Sequence, residues 1–256
     1  MLTRQRKQHL LEALRRDGQI VAKAMSESLG LSEDTLRRDL RELAAEGLLQ
    51  RVHGGALPLA AAAVDFAARR QLVPDEKAAI GRAAALMVKP GQVVFVDGGT
   101  TAVQLARQLP ASLRATVVTH SPSVAVELAA HAHVDVVLIG GRLFKHSVVA
   151  VGAAAVDAIA RIHADTYFMG VTGVHATAGL TTGDMEEAAV KRALMAAASE
   201  TVVLASSEKL GAASPYVINP VASAAVALVA ADAPARALAA LRKAGLRIVQ
   251  AVPAGR

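Results

Sequence analysis

Ser32-Glu33-Asp34-Thr35-Leu36-Arg37-Arg38-Asp39-Leu40-Arg41-Glu42-Leu43 carries two patterns at once. Leu36, Leu40, Leu43 and then Ala44 recur at i, i+4, i+7 and i+8, the stripe by which an amphipathic helix buries one face. Ser32 stands where a hydroxyl caps a helix, and Glu33 and Asp34 bring negative charge to the first turn, where the helix dipole favours it. Upstream, Val21–Leu29 reads as another helix, ended by Gly30, a residue suited to a left-handed cap. Before it Leu2–Arg16 reads as a third, with Leu10, Leu11 and Leu14 on one side and Arg6, Lys7 and Arg15 elsewhere. Helix, Gly-Leu turn and Ser-capped helix is the spacing of a helix-turn-helix.

In that unit the capped helix enters the major groove N-terminus first. Ser32, Glu33, Thr35, Arg37 and Arg38 then lie nearest the DNA, with Arg41 one turn beyond Arg37 on the same face. Guanidinium groups suit both tasks there, paired hydrogen bonds to guanine and neutralisation of phosphate. After Gly47, Leu48–Val52 with Arg51 reads as a short strand and His53-Gly54-Gly55 as a turn, together a wing. The same residues also fit a small helical bundle with solvated arginines, because alternating charge is ordinary on an exposed helix.

Composition bounds the rest. The chain has 256 residues, 53% of them apolar but only 2% aromatic, and no cysteine. It therefore has material for a large core, no disulfide framework, no thiolate nucleophile and no Cys-based zinc site. Mean hydropathy is +0.37, yet no apolar run approaches the roughly 18–20 residues of a spanning helix. Met1–Arg16 is polar and basic, without the apolar segment of a secretory signal; the expectation is a cytoplasmic protein. The net charge of +6 is spread, with ten basic to eight acidic residues in 1–55 and eighteen to fourteen beyond. Local pattern, not bulk charge, has to locate any polyanion partner.

From residue 75 onward, short apolar runs alternate with helical segments. Strands are expected at Val93–Val96, Thr116–Thr119, Val134–Ile139, Tyr167–Gly170, Thr201–Ala205, Ala225–Val229 and Arg247–Gln250. Helices are expected at Glu76–Met87, Thr101–Gln108, Pro122–Ala130, Ala153–Arg161, Met185–Ala198 and Pro234–Ala244. That alternation signals an α/β domain with a mainly parallel sheet covered on both faces. The division is 1–57 for the N-terminal unit, 58–74 for a linker and 75–256 for the α/β domain. Five strands run into small or polar clusters, among them Asp97-Gly98-Gly99-Thr100-Thr101, Thr119-His120-Ser121-Pro122 and Ser206-Ser207-Glu208-Lys209. In a parallel sheet these share one edge, where open α/β folds place their ligand crevice. Glycines admit close backbone approach, and helix N-termini favour anions. The combination suits an anionic polyol such as a sugar phosphate. Glu187 and Lys191, at i, i+4, also read as a plain surface ion pair.

The string from Ser32 to Leu43, followed by Gly47-Leu48-Leu49 and Arg51-Val52-His53-Gly54-Gly55-Ala56, resembles the signature of the DeoR/GlpR family of bacterial transcriptional regulators. Asp97 through Thr101, Gly140-Gly141-Arg142, Gly179-Leu180-Thr181-Thr182, Glu187 through Ala193 and Lys209-Leu210-Gly211 are similar to that family's sensor domain. The resemblance implies a winged helix-turn-helix on double-stranded operator DNA, with Arg51 and His53 in the wing. It also implies a Rossmann-like sensor related to ribose-5-phosphate isomerase that takes a phosphorylated sugar or related effector. Carried over, Asp97, Gly98, Gly99, Thr100 and Thr101 hold that effector, with Thr119, His120, Ser121, Gly141, Arg142, Lys191 and Lys209 lining the crevice. His120 stands where the family usually has Asn, and Ser206-Ser207-Glu208-Lys209 where it often has Asp-x-Ser/Thr-Lys.

The expected function is a repressor of a carbohydrate-metabolism operon, working as a homodimer or homotetramer without cofactor, metal or membrane. His131 and His133 lack a third ligand nearby, so no metal site is expected. An isomerase-like enzyme with an appended DNA-binding unit is the alternative, since Asp97, Glu187, Lys191 and Lys209 are the residue types its chemistry needs. A non-specific architectural DNA binder would have no use for the ligand crevice.

Overall fold

In a computed structural model of the chain, residues 2–58 and 66–252 are described. The N-terminal unit runs α1 (Thr3–Asp17), β1 (Ile20–Val21), α2 (Ala22–Leu29), α3 (Glu33–Ala45), β2 (Gln50–Val52) and β3 (Gly55–Leu57). Gly30 closes α2 in the left-handed region at φ 62°, and Ser32 Oγ accepts from Thr35 N at 3.2 Å to cap α3. Leu36, Leu40 and Leu43 are buried against Leu10, Leu14, Ile20 and Leu49, with Ala44 at the margin. The strands form a small sheet in the order β1-β3-β2. Two-residue β1 carries too little pattern to be seen in sequence. Its pairing with β3 demands glycine at 55, where a Cβ would stand 1.7 Å from the Ile20 carbonyl oxygen.

One residue of this unit has a role that its sequence context does not announce. Arg6 is buried, and its guanidinium pairs with both carboxylate oxygens of Asp39, the Nη2–Oδ1 contact being 2.9 Å. Asp39 is 1% exposed. The charged face of α1 is thus partly an internal strut holding the first helix to the third.

Of the linker reading at 58–74, residues 59–65 lie outside the described residues. Beyond them come α4 (Phe66–Arg69) and α5 (Pro74–Ala85), then β4 (Val93–Val96), α6 (Thr100–Arg107), β5 (Ala115–Thr119), α7 (Pro122–Leu128) and β6 (Val134–Leu138). A hairpin of β7 (Arg142–Phe144) and β8 (Val149–Val151) leads to α8 (Ala153–Ile159) and β9 (Ala164–Gly170). There follow β10 (Gly173–His175), β11 (Gly179–Thr182), α9 (Met185–Ala196), β12 (Ala198–Ala205), β13 (Tyr216–Asn219), β14 (Val226–Ala230), α10 (Ala235–Lys243) and β15 (Ile248–Ala251).

Seven strands form one parallel sheet in the order β15-β14-β12-β9-β4-β5-β6. Side chains alternate across it, as a strand requires. Phe95 faces a core built with α8, α9 and α10, whereas Val94 and Val96 face α5, α6 and α7. Both faces are covered, which is why the strands read as continuous apolar runs. The chain leaves β4 toward β5 and β6, then returns to place β9 on β4's other side. The switch point therefore falls between β4 and β9. There the two strand ends diverge and leave a crevice. A second sheet, β10-β11-β13, and the β7–β8 hairpin flank that end. Among the described residues no helix is long and apolar enough to cross a membrane.

Candidate functional site

On the N-terminal unit, α3 presents Arg37, Arg38 and Arg41 to solvent beside exposed Ser32, and the β2–β3 wing exposes Arg51 and His53. Glu33 and Thr35 are half-buried at the start of the helix. Arg37 Nη2 meets Glu33 at 2.7 Å, an exposed i, i+4 pair; Arg38 and Arg41 make no ion pair among the described residues. The eight DNA-facing residues named from sequence thus lie along one helix and its adjoining wing.

The second site begins beneath β4. Asp97 is fully buried, and its carboxylate is surrounded by donors. Oδ1 accepts from Gly98 N at 2.8 Å and lies 2.7 Å from His120 Nε2. Oδ2 accepts from Tyr167 OH at 2.9 Å, Gly170 N at 2.8 Å and Lys191 Nζ at 2.5 Å. Burial alone raises this carboxyl, but the Lys191 charge and the His120 hydrogen bond outweigh it and hold Asp97 well below the usual carboxylate range. Burial, and after it the same carboxylate, pushes the Tyr167 phenol well up. For Lys191 burial opposes the charge, yet Asp97 and Glu187 together raise it. Asp97 is a hub that ties β4, β5, β9 and α9 together at the switch point.

Above the hub opens a narrow pocket with about 40 Å³ of free space. Gly98, Gly99, Thr100, Thr101, Gly170, Val171, Thr172, Glu187, Lys191 and Lys209 line it, with Arg69, Lys77, Ser147 and Glu208. Gly98 admits nothing larger, since a Cβ there would stand 2.1 Å from Val149 Cγ1. The first turn of α6 faces in, and Thr101 Oγ1, on a residue 2% exposed, has no hydrogen-bond partner. An anion at that helix start would meet unpaired amides and a free hydroxyl together. Glu187 accepts from Thr182 Oγ1 at 2.8 Å and pairs with Lys191 at 3.5 Å. Lys209 has its ammonium lowered to about 8, first by burial and then by Lys77, Arg69 and Lys191, against the pull of Glu208. Cations crowd this pocket.

Gly98, Gly99, Thr100, Thr101, Lys191 and Lys209 therefore come together in the pocket wall. Asp97 and His120 lie under it, with His120 Nδ1 also 2.8 Å from Ala150 O, so that the ring ties β8 to the sheet. The remaining four named from sequence sit elsewhere. Thr119 Oγ1 accepts from Ser121 N at 3.1 Å, and Ser121 Oγ accepts from Val124 N at 3.5 Å as the cap of α7. Gly141 is packed on β8, where a Cβ would meet Val151 O at 2.8 Å. Arg142 is exposed and paired with Glu186. Sequence reasoning missed Arg69, Lys77 and Ser147, which reach the pocket from the linker, α5 and the β7–β8 turn. Nothing in their local pattern marks them.

Two family profiles match the chain, one described as a DeoR-like helix-turn-helix domain over residues 6–60 and one as the DeoR C-terminal sensor domain over 73–230. The HTH-type transcriptional regulator GlpR of Haloferax volcanii is 36% identical over 214 residues, covering 82% of this chain and 83% of that protein. GolR of Listeria innocua is 32% identical over 209 residues, covering 81% and 82%. Among solved structures, ribose 5-phosphate isomerase A of Methanocaldococcus jannaschii overlays 52% of each chain at a TM-score of 0.39 and 20% identity. With its arginine-bearing third helix and wing matched over residues 6–60 and its sensor over 73–230, the chain belongs to the DeoR family and is a DNA-binding transcriptional regulator.

Proposed function

We propose that this regulator is a repressor, acting as a homodimer or homotetramer, whose operator affinity is set by a phosphorylated sugar held at the β4–β9 switch point. The observation that carries the reading is the unpartnered Thr101 hydroxyl at the start of α6, facing a pocket rich in cations. Relatives point the same way: one 29% identical over 208 residues bears the name glycerol-3-phosphate regulon repressor, from Escherichia coli. The isomerase alternative is weakened because its first candidate base, Asp97, already has both oxygens occupied by donors.

In this reading a phosphate sits against the α6 amides, Thr101, Lys191 and Lys209, and the polyol extends toward Gly170–Thr172. Occupancy shifts the balance between two arrangements of the reading heads, only one of which matches the operator half-sites. A coupling of about 1–3 kcal/mol changes DNA affinity roughly 5- to 150-fold. Titrating operator DNA with and without a panel of sugar phosphates tests this, and superimposable curves throughout would sink it.

Two further outcomes are expected. Arg38→Ala, and separately Arg37→Ala, should each cost about 1–3 kcal/mol of operator binding if the side chain makes a bidentate base contact. Gel-shift titrations at fixed salt check this, and full affinity in both variants would relocate the reading surface. The second concerns pH. An anion favours the charged form of Lys209, so above about 8 binding must take up a proton, and affinity falls as pH rises. A sugar phosphate is already fully ionised there, so calorimetry between pH 7.5 and 9.5 reads the pocket lysines, and Lys209→Met separates Lys209 from Lys77, whose ammonium burial also lowers. A flat profile, or one that Lys209→Met leaves unaltered, would remove Lys209 from the site.

A further inference from the structure

Residues 61–72 lie between the two family profiles, yet α4, which falls inside them, is fastened to the sensor. Phe66 N donates to His146 O at 3.2 Å. Arg69 Nη2 donates to the same carbonyl at 3.0 Å and to Ser147 Oγ at 3.4 Å. Ser147 in turn reaches Glu187 Oε2 at 3.5 Å. From the other side the buried Lys77 ammonium donates to Arg69 O at 2.7 Å and Leu72 O at 2.6 Å. Its nearest carboxylate, Glu208, is 3.7 Å away. Arg69, Lys77, Ser147 and Glu187 are all pocket wall. The end of the linker is therefore held by the residues that face the cavity.

A four-residue helix has little stability of its own, because nucleation outweighs the few bonds it gains. Its order depends on what grips it. A phosphate within reach of the Arg69 guanidinium would add charge-assisted hydrogen bonds to that grip, and would draw Lys77 and its two linker carbonyls with it.

We propose that Arg69 contacts the ligand, so that the linker forms one wall of the pocket and occupancy reaches the reading head through α4. The inference rests on the pocket being the effector's site. The ligand class is a phosphate ester, because the converging groups are a guanidinium, ammonium groups and backbone amides.

The test uses the full-length protein, titrated with glycerol 3-phosphate, ribose 5-phosphate, fructose 6-phosphate and inorganic phosphate, with backbone hydrogen exchange read in each state. The expected result is that a sugar phosphate binds and slows exchange across residues 66–77. Arg69→Ala should weaken that binding by about tenfold or more and erase the slowing at saturation, with Arg69→Lys intermediate. Lys209→Ala should weaken binding but keep the slowing once saturated. Wild-type affinity and intact slowing in Arg69→Ala, while Lys209→Ala loses affinity, would overturn the linker wall and leave the effector site standing. Failure of the wild-type protein to bind any of the four would overturn both. Ligand-free melting of the two Arg69 variants separates lost contact from lost fold, because a weakened but folded Arg69→Lys still reports on the wall.

Discussion

Asp97→Ala is expected to destabilise the sensor by about 3–5 kcal/mol, the usual consequence of leaving one partner of a buried ion pair alone. Lys191, 3% exposed at its side chain, would then keep only Glu187 at 3.5 Å and the Gly170 carbonyl at 2.9 Å. Tyr167 OH and the amides of Gly98 and Gly170 would lose their acceptor at the same time. For a domain of this size the melting temperature should fall by roughly 6–20 °C. The acid limb gives a second check. A carboxylate held below its normal range contributes stability that is fully present above about pH 4 and is lost as pH falls toward the folded-state value. Wild-type and variant should therefore differ by a constant amount from pH 5 to 8 and converge only in stronger acid. Sensor melts that coincide at pH 7 would show that the hub is not what holds β4 to β9.

Asp39→Ala should damage the reading head although Asp39 faces away from solvent and cannot touch DNA. It is half of the buried pair with Arg6 that ties α3 to α1. The unit is small and water is close on every side, so the expected loss is near the low end for such pairs, about 3 kcal/mol. A core of this size supplies only about 3–5 kcal/mol in all, so the head would sit near its own midpoint at room temperature. Operator binding should fall along with the helical signal of residues 2–58, and the sensor's transition should stay in place. Arg6→Leu combined with Asp39→Leu should restore much of the loss, since a packed apolar pair removes the uncompensated charge. A variant that melts like the parent would mean the pair is solvated in practice.

The seven sheet strands were legible because each carries a short apolar run, such as Val93-Val94-Phe95-Val96 or Tyr167-Phe168-Met169, and the inner ones are buried on both faces. The third helix was legible through its cap: Ser32 accepts the very amide its position suggests. The short antiparallel pieces were not. Strands of three or four residues, such as β7, β8 and β10, are too brief for a period of two to show. In the site, glycines and threonines next to a strand end found the pocket floor, because one edge of a parallel sheet gathers them. The side chains closing it from above come from positions 69, 77 and 147, and only the tertiary fold brings them within reach. Ser121 and Gly141 show the converse: small residues at the correct edge that serve a cap and a close backbone packing. The role of Arg6 was not legible, because nothing near a basic residue on a first helix reveals a buried carboxylate 33 positions away.

The attachment of α4 also bears on how regulators of this type can be recombined. A hybrid joined at residue 73, where the sensor profile begins, would give Lys77 and Ser147 to one parent and Arg69 to the other. Grafted specificity would then come with a mismatched hinge. A seam placed before Phe66 transplants the helix together with the groups that hold it, and is the junction at which exchanged heads should still answer to their new sensor.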